Sequence, residues 1–232
     1  FGTGTLRSKL LRAPYAGVRR LMKLYCSSYR LGDEADKLQG MFFGPKVGVI
    51  QNALDFSNDY DRLNRALERE FLDLQALGLT PEKLDLRDYF GKEDKLEEKL
   101  NSLDGVWVVG GNAFVLRRAM KSSGMDNILA ENNLKTNFVY AGYSAGICVL
   151  SPSLQGIEIV DPKDVVPDGY EKAVIWEGLN VVPVSFAPHF DSQHPESGLI
   201  NEVVSFFEGK GIDYLALRDG EVFISKYPEV DV

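Results

Sequence analysis

The sequence is poor in the two residue types that most often hold metals or form covalent cross-links. Its 232 residues include only two cysteines, Cys26 and Cys148, and only two histidines. Two cysteines are too few for a disulfide framework, and no C-x-x-C spacing typical of a structural zinc site is present. We therefore expect no metal ion and a reducing, cytoplasmic location.

Long hydrophobic runs and a basic surface are missing as well. No apolar stretch approaches the ~20 residues that a helix needs to span a bilayer. The formal net charge is −8, whereas proteins that bind nucleic acid usually present a basic surface. We therefore expect neither a membrane nor a nucleic acid as a partner.

The first 21 residues are the exception to this acidic balance. They contain no acidic residue and five basic ones, namely Arg7, Lys9, Arg12, Arg19 and Arg20. They also lack the continuous apolar core of a secretory signal. We expect Met22 to be the natural start, residues 1–21 to be an added or disordered extension, and residues 22–232 to form one domain. A basic arm or transit-like segment is the alternative.

Strand and helix patterns alternate along the rest of the chain. Apolar residues spaced three and four apart predict a helix over 59–77. Short apolar runs predict strands at 23–27, 47–50, 84–86, 106–109, 138–141, 181–184, 214–217 and 221–224. Further helices are predicted at 96–100, 114–121 and 200–207. The alternation is typical of an α/β fold with a mostly parallel sheet and helices on both faces, which places reactive groups at the carboxyl ends of the strands.

A glycine-rich turn after one predicted strand has the pattern of a nucleophile elbow. Residues 142–146 read Gly-Tyr-Ser-Ala-Gly, follow the strand at 138–141 and precede an apolar run that can be helical. The sharp turn of a G-x-S-x-G elbow requires small residues around the nucleophile. The pattern predicts Ser144 as a nucleophile, while a simple turn after a core strand is the alternative. We expect the nearby Cys148 to be a packed thiol.

A second glycine loop, Gly110-Gly111-Asn112, also follows a predicted strand. Neither G-x-G-x-x-G nor G-x-x-x-x-G-K-[ST] is present, so the loop does not have the pattern of a nucleotide site. No motif implies a cofactor. We interpret the loop as half of an oxyanion hole, with the backbone amides of Gly111 and Ala145 as donors. A tight strand–helix turn is the alternative.

A serine nucleophile needs a neighbouring base, and only two histidines are available. His189 follows the predicted strand at 181–184, which would place it on the same sheet edge as Ser144. His194 lies in a polar loop, and we expect it to be solvated. The acid that would orient the imidazole stays open at this point. The candidates are Asp219, Asp161, Glu158 and Asp191.

From Met22 onward the chain resembles the peptidase E family of serine peptidases, which includes aspartyl dipeptidases and cyanophycinases. The matching blocks are residues 110–114, 142–146 with 151–152, 159–162 and 188–190. The resemblance implies a fold similar to class I glutamine amidotransferases, with serine in place of their cysteine. It implies Ser144 and His189 as catalytic residues. It also favours Asp219, an acid followed by glycine, as the third member, with Asp161 as the alternative.

The chain departs from the family pattern in one respect. Aspartyl dipeptidases carry arginines in the helix after the histidine, suited to a substrate carboxylate, whereas residues 198–203 contain none. Arginine is the usual partner of a bound carboxylate, so we expect no strict demand for an N-terminal aspartate. Arg117, Arg118 and Arg218 are the candidate substitutes.

The predicted function is hydrolysis of short peptides by a Ser-His-acid triad through an acyl-enzyme. The expected partner is a small peptide substrate, and a homodimer stays open as an assembly. An esterase of the α/β-hydrolase type is one alternative, although the chain has no His-Gly oxyanion motif and His189 precedes Asp219. A non-catalytic binding protein that retains the fold is the other.

Overall fold

A computed structural model describes residues 22–131, 134–135 and 137–225. The prediction that residues 1–21 are an extension lies outside the described residues. Within the described part, no helix has the length and hydropathy needed to cross a bilayer. Cys26 and Cys148 are both buried and unpaired.

Eight strands of the described residues provide the framework of the fold. They are β1 (Lys23–Ser27), β2 (Lys46–Ile50), β3 (Thr80–Lys83), β4 (Gly105–Val108), β5 (Val139–Tyr143), β6 (Ser185–Ala187), β7 (Tyr214–Ala216) and β8 (Val222–Ile224). Six of them form one sheet in the order β3-β2-β4-β5-β1-β8. All neighbours in this sheet are parallel except β8, which runs antiparallel to β1. The remaining two, β6 and β7, form a separate parallel pair.

Seven α-helices accompany the strands in the described residues. They are α1 (Ala35–Met41), α2 (Tyr60–Ala76), α3 (Glu93–Asn101), α4 (Ala113–Ser123), α5 (Met125–Glu131), α6 (Ala145–Cys148) and α7 (Ser197–Lys210). Successive side chains of a strand point to opposite faces. In β4, Val106 and Val108 accordingly join one hydrophobic cluster, with α4 and α5, while Trp107 joins another, with α1 and α2. The predicted α/β fold, with helices on both faces of a mostly parallel sheet, is confirmed.

Two predicted strands are wrong, and both errors have a physical reason. The strand expected at 84–86 lies earlier, at Thr80–Lys83, and residues Leu86–Tyr89 form a 3-10 turn. Because β3 is an edge strand, it tolerates Pro81. Residues 181–184 are irregular: the amides of Val181 and Val182 both donate to the Leu150 carbonyl. These buried valines pack without pairing, and β6 begins only at residue 185. The sequence patterns also missed α1 and α5.

A long segment, residues 149–184, follows the elbow helix and is called here the post-elbow loop. It contains one 3-10 turn, Ile157–Ile159, and no other helix. Two buried arginines of α4 fasten it. Arg118 donates to the carbonyls of Lys163 and Ala173 at 2.8 and 3.0 Å, and Arg117 donates to that of Glu177 at 2.8 Å. The loop therefore takes a defined course although it lacks regular structure.

Candidate active site

The candidate residues lie at the carboxyl ends of strands, as expected for an open α/β sheet. Ser144 directly follows β5, His189 lies two residues beyond β6, and Asp219 lies three beyond β7. The pairing of β6 with β7 continues past the strands, because the Phe190 amide donates to the Leu217 carbonyl at 3.0 Å. This continued pairing brings the segments that carry His189 and Asp219 together.

The turn at Ser144 has the strained geometry of a nucleophile elbow. Ser144 adopts φ 51° and ψ −121°, a conformation that few non-glycine residues occupy. Small residues surround it because β4 passes close by. A β-carbon at Gly142 would lie 2.6 Å from the Val108 carbonyl oxygen, and one at Gly146 only 2.3 Å from it. The predicted context of strand, sharp turn and helix is confirmed, since β5 ends at Tyr143 and α6 begins at Ala145.

A buried carboxylate supports the elbow from the opposite face of the sheet. Glu70 of α2 accepts hydrogen bonds from Tyr143 Oη at 3.0 Å and from Trp107 Nε1 at 2.9 Å. Arg69 pairs with the same carboxylate at 2.9 Å. The sequence analysis missed Glu70, yet a signal was present. It lies three residues after Leu67 and four before Leu74, so it is a charged residue on the apolar stripe of its helix.

His189 is held by Asp219 and by a serine that sequence reasoning did not identify. His189 Nδ1 lies 2.7 Å from Asp219 Oδ1. The His189 amide donates to Ser28 Oγ at 2.8 Å, and the Ser28 hydroxyl lies 3.0 Å from Asp219 Oδ1. The imidazole is almost completely buried, at 1% exposure. Burial lowers the pKa of His189, and the hydrogen bond to Asp219 opposes this effect.

The other acidic candidates contact different groups. Asp161 accepts the Ala113 amide of α4 at 2.7 Å, and burial raises its pKa to about 7. Glu158 accepts the Gly156 amide at 2.6 Å, and Asp191 pairs with Arg218. Of the four candidates, Asp219 is the one that contacts the His189 ring in the described part of the chain. The structure therefore favours Asp219 over the alternative Asp161.

One small pocket connects the candidate nucleophile, base and alternative acid. It is lined by Ser144, Ala145, Cys148, Ile157, Val160, Asp161, Pro188, His189, Glu196 and Ile200. No hydrogen bond joins Ser144 Oγ to His189 among the described residues. Such bonds are often long before substrate binds, so their shared pocket is the relevant observation. Cys148 is buried, and burial raises its pKa far above the usual range, as expected for a packed thiol.

The second glycine loop packs directly against the elbow. A β-carbon at Gly110 would lie 2.9 Å from Ser144 Cβ, and one at Gly111, where φ is 145°, would lie 2.6 Å from the Ala53 carbonyl oxygen. Ala145 is the first residue of α6. Neither the Gly111 nor the Ala145 amide has an acceptor within the described ranges, so both remain available to bind an anion. Their assignment to an oxyanion hole stays a prediction.

His194 is not solvated in the way that its polar neighbours suggested. Its ring stacks on that of His189, with centroids 3.7 Å apart and an angle of 11° between the planes. Tyr29, which follows β1, contacts both rings at centroid distances of 5.7 and 5.5 Å. The prediction failed because the neighbours of His194 in sequence are polar, whereas its neighbours in space are aromatic.

The arginines considered for a substrate carboxylate are engaged elsewhere. Arg117 and Arg118 are buried and bind carbonyls of the post-elbow loop. Arg218 is exposed and pairs with Asp191. No arginine or lysine of the described residues lines the pocket that contains Ser144.

Residues 57–227 match the family model of peptidase family S51. The chain belongs to this family. It is a serine peptidase, and the resemblance to peptidase E is confirmed. Similar proteins include an uncharacterized peptidase of Listeria monocytogenes, 30% identical over 154 residues that cover 65% of this chain and 70% of the relative. A Drosophila melanogaster protein described as a probable alpha-aspartyl dipeptidase is 27% identical over 53% of this chain and 50% of its own length.

The fold of this S51 peptidase also matches solved structures. A crystal structure of a Listeria monocytogenes protein assigned to peptidase E superposes with a TM-score of 0.64 at 21% identity. The match covers 89% of this chain and 98% of that one. At this identity the likeness concerns the fold alone, and it agrees with the α/β architecture described above.

Proposed function

We propose that this S51 peptidase hydrolyses short peptides with Ser144 as nucleophile, His189 as general base and Asp219 as the acid that orients the base. The contact of 2.7 Å between His189 Nδ1 and Asp219 Oδ1 carries this proposal. It leaves Nε2 of the same ring free to accept a proton, and the ring borders the pocket that Ser144 also lines.

The proposed chemistry follows from these positions. Ser144 Oγ attacks the peptide carbonyl carbon while His189 Nε2 takes the hydroxyl proton. Asp219 holds the proton on Nδ1 and stabilises the imidazolium ion that forms. The amides of Gly111 and Ala145 donate to the developing oxyanion. His189 then protonates the leaving amine. In the second half of the reaction a water molecule attacks the acyl carbon while His189 takes its proton. His189 finally returns that proton to Ser144 Oγ as the acid product leaves.

The pocket wall favours substrates whose first side chain is uncharged. Ile157, Val160 and Ile200 provide apolar surface. The acidic residues that line the pocket are Asp161 and Glu196. A substrate aspartate would bring a carboxylate into this pocket without a cationic partner, which is costly once water is displaced. We therefore propose dipeptides with an apolar first residue as the preferred substrates, in contrast to the activity that the name of the Drosophila relative describes.

Labelling with a fluorophosphonate, read by intact mass, tests the proposed nucleophile. We expect one adduct on the protein, none on Ser144→Ala, and an unchanged adduct on Ser205→Ala, in which an exposed serine of α7 is removed. Absence of any adduct on the unaltered chain would favour a non-catalytic binding protein. Turnover of carboxylic esters without turnover of any dipeptide would favour an esterase.

The proposal extends to the location of the protein. Both thiols are buried and unpaired, which agrees with the cytoplasmic location expected from the sequence. We propose that location on these grounds, and fractionation of the source cells would test it.

A further inference from the structure

The base of the proposed triad belongs to a cluster of three rings. His194 covers one face of His189 at a centroid distance of 3.7 Å, and the rings are within 11° of parallel. Tyr29 approaches His189 with an angle of 64° between the ring planes. We call His189, His194 and Tyr29 the ring cluster. Face-to-face contact at this distance is closer than the usual spacing of aromatic pairs.

The chain between the two histidines is folded so that the second ring is held over the first. Asp191 adopts φ 46°, and His189 adopts φ 62°. The His194 carbonyl accepts the Ser197 amide at 3.0 Å, and His194 Nδ1 accepts the Glu196 amide at 3.3 Å. The His194 side chain is only 21% exposed. These contacts hold His194 in place through the backbone, so the stack does not depend on the two rings alone.

The stack places two titratable rings in direct contact. A proton on one ring disfavours a proton on the other, because like charges at this separation repel. Contact with the His194 ring therefore lowers the basicity of His189.

The acidic groups around the stack act on His189 in the direction opposite to that of His194. Asp219 contacts His189 and stabilises its protonated form, while a Glu196 carboxylate oxygen lies 3.8 Å from His194 Nδ1. Ring nitrogens of both histidines and a carboxylate oxygen of Glu196 all lie within 4.8 Å of one another. Asp161 lines the same pocket. Glu196 and Asp219 both favour the protonated form of His189, whereas burial and the neighbouring His194 oppose it.

We propose that His194 is a positioning residue that stacks on the proposed base and, through this coupling of the two rings, opposes protonation of the base. The inference rests on the role of His189 in the proposed function. By this account His194 limits the movement of the imidazole and makes a proton on His189 less favourable than it would be without the stack. The direction agrees with the lowered pKa of His189, to which burial contributes most and the charge on His194 adds.

NMR titration of the histidine ring protons tests the coupling without an activity assay. The chain has only two histidines, so replacing His194 leaves one histidine signal, that of His189. In His194→Gln, which keeps a polar side chain and removes the charge, we expect the pKa of His189 to rise above its value in the unaltered chain. An unchanged or lower pKa in this variant would overturn the coupling, whatever the activity of the protein.

A second variant separates stacking from charge. His194→Phe keeps an aromatic ring over His189, whereas His194→Gln does not. We expect the high-pH plateau of kcat on a dipeptide to fall by about three- to tenfold more in the glutamine variant than in the phenylalanine variant, the range set by loss of an aromatic pair. Equal plateaus would overturn the positioning role. A chain inactive in every form would refute the proposed function, while the NMR result would still decide the coupling.

Discussion

The nucleophile side and the base side of the proposed active site are built in different ways. The elbow is local in sequence, because one strand, one turn and one short helix between residues 139 and 148 form the turn that carries Ser144. The base side is assembled from distant parts of the chain, since Ser28 and Asp219 hold His189 from 161 and 30 residues away. The comparison teaches that a short motif can specify a reactive serine, whereas orientation of its base depends on the tertiary fold.

The largest expected effect is on the local side. Ser144→Ala should lower kcat on a dipeptide by about 10⁶, the loss typical of removing a triad nucleophile. Thermal unfolding should show a melting temperature close to that of the unaltered chain, because the hydroxyl makes no hydrogen bond among the described residues. Ser205→Ala is the matched control. Residual turnover of more than a few per cent would contradict the assignment of Ser144.

The next largest effect should come from the distant side. Asp219→Asn should lower kcat by about 10⁴, because an asparagine no longer holds the required imidazole tautomer or stabilises the imidazolium ion. Asp161→Asn should lower kcat by less than about tenfold, since Asp161 contacts the Ala113 amide and not the imidazole. Steady-state kinetics on both variants decides the matter, and the reverse ranking would assign the role to Asp161.

Substrate preference tests the nucleophile side and the base side together, since residues of both sides line the pocket. For matched dipeptides, kcat/KM should be higher with leucine in the first position than with aspartate, by about a hundredfold, or roughly 2.7 kcal/mol. The reason is that no arginine or lysine in the described part of the chain lines the pocket. Equal values, or a preference for aspartate, would show that a cation from another part of the chain reaches the pocket.

Glu70 supports the elbow from the opposite face of the sheet, and its contribution can be measured as a change in the free energy of unfolding. Glu70→Ala leaves the Tyr143 hydroxyl and the Trp107 indole N–H without their acceptor, and we expect it to lower the free energy of unfolding by about 2–4 kcal/mol. Urea titration measures this loss. Glu68→Ala, which removes an exposed acid of the same helix, should change stability by less than about 0.5 kcal/mol. Similar losses in the two variants would mean that the buried contacts contribute nothing.

The last prediction concerns the dependence of stability on pH. The folded-state pKa of Asp161 is raised to about 7, whereas an unfolded aspartate has a pKa of about 3.9. Folding therefore favours the protonated form, and the acid makes the fold less stable as pH rises from about 4 to 7. Asp161→Asn cannot ionise, so its melting temperature relative to the unaltered chain should be higher at pH 8 than at pH 5. A constant difference would contradict the raised pKa.

The same division between local and distant contacts determines how much of the candidate site could be predicted from the sequence. Five consecutive residues after a buried strand were enough to predict the turn at Ser144. Asp219 came from the family resemblance, because no spacing along the chain indicates which acid meets His189. Ser28 and Tyr29 were not predicted at all. Their contacts with His189 depend on β1 lying beside β5, with the β6–β7 pair brought near, and short patterns carry no such information.

The helices and strands were predicted better than the loops, because the spacing of apolar residues along the chain indicates which residues are buried. The helix expected at 59–77 and the strands at 47–50 and 106–109 agree with the structure to within about two residues. The same reasoning failed at 181–184, where valines are buried but their amides bind the Leu150 carbonyl instead of a neighbouring strand. An apolar run indicates that a segment is inside the protein, and pairing has to be found separately.

The hydrogen bonds that hold the post-elbow loop affect how the sequences of related enzymes can diverge. Arg118 grips this loop through backbone carbonyls, which every residue type possesses. The side chains that line the pocket, such as Ile157 and Val160, therefore take no part in the hydrogen bonds that hold the loop. Replacing them would leave the hydrogen bonds from Arg118 to the loop backbone intact. Such an arrangement lets a lineage acquire new substrates while its catalytic groups stay under separate selection.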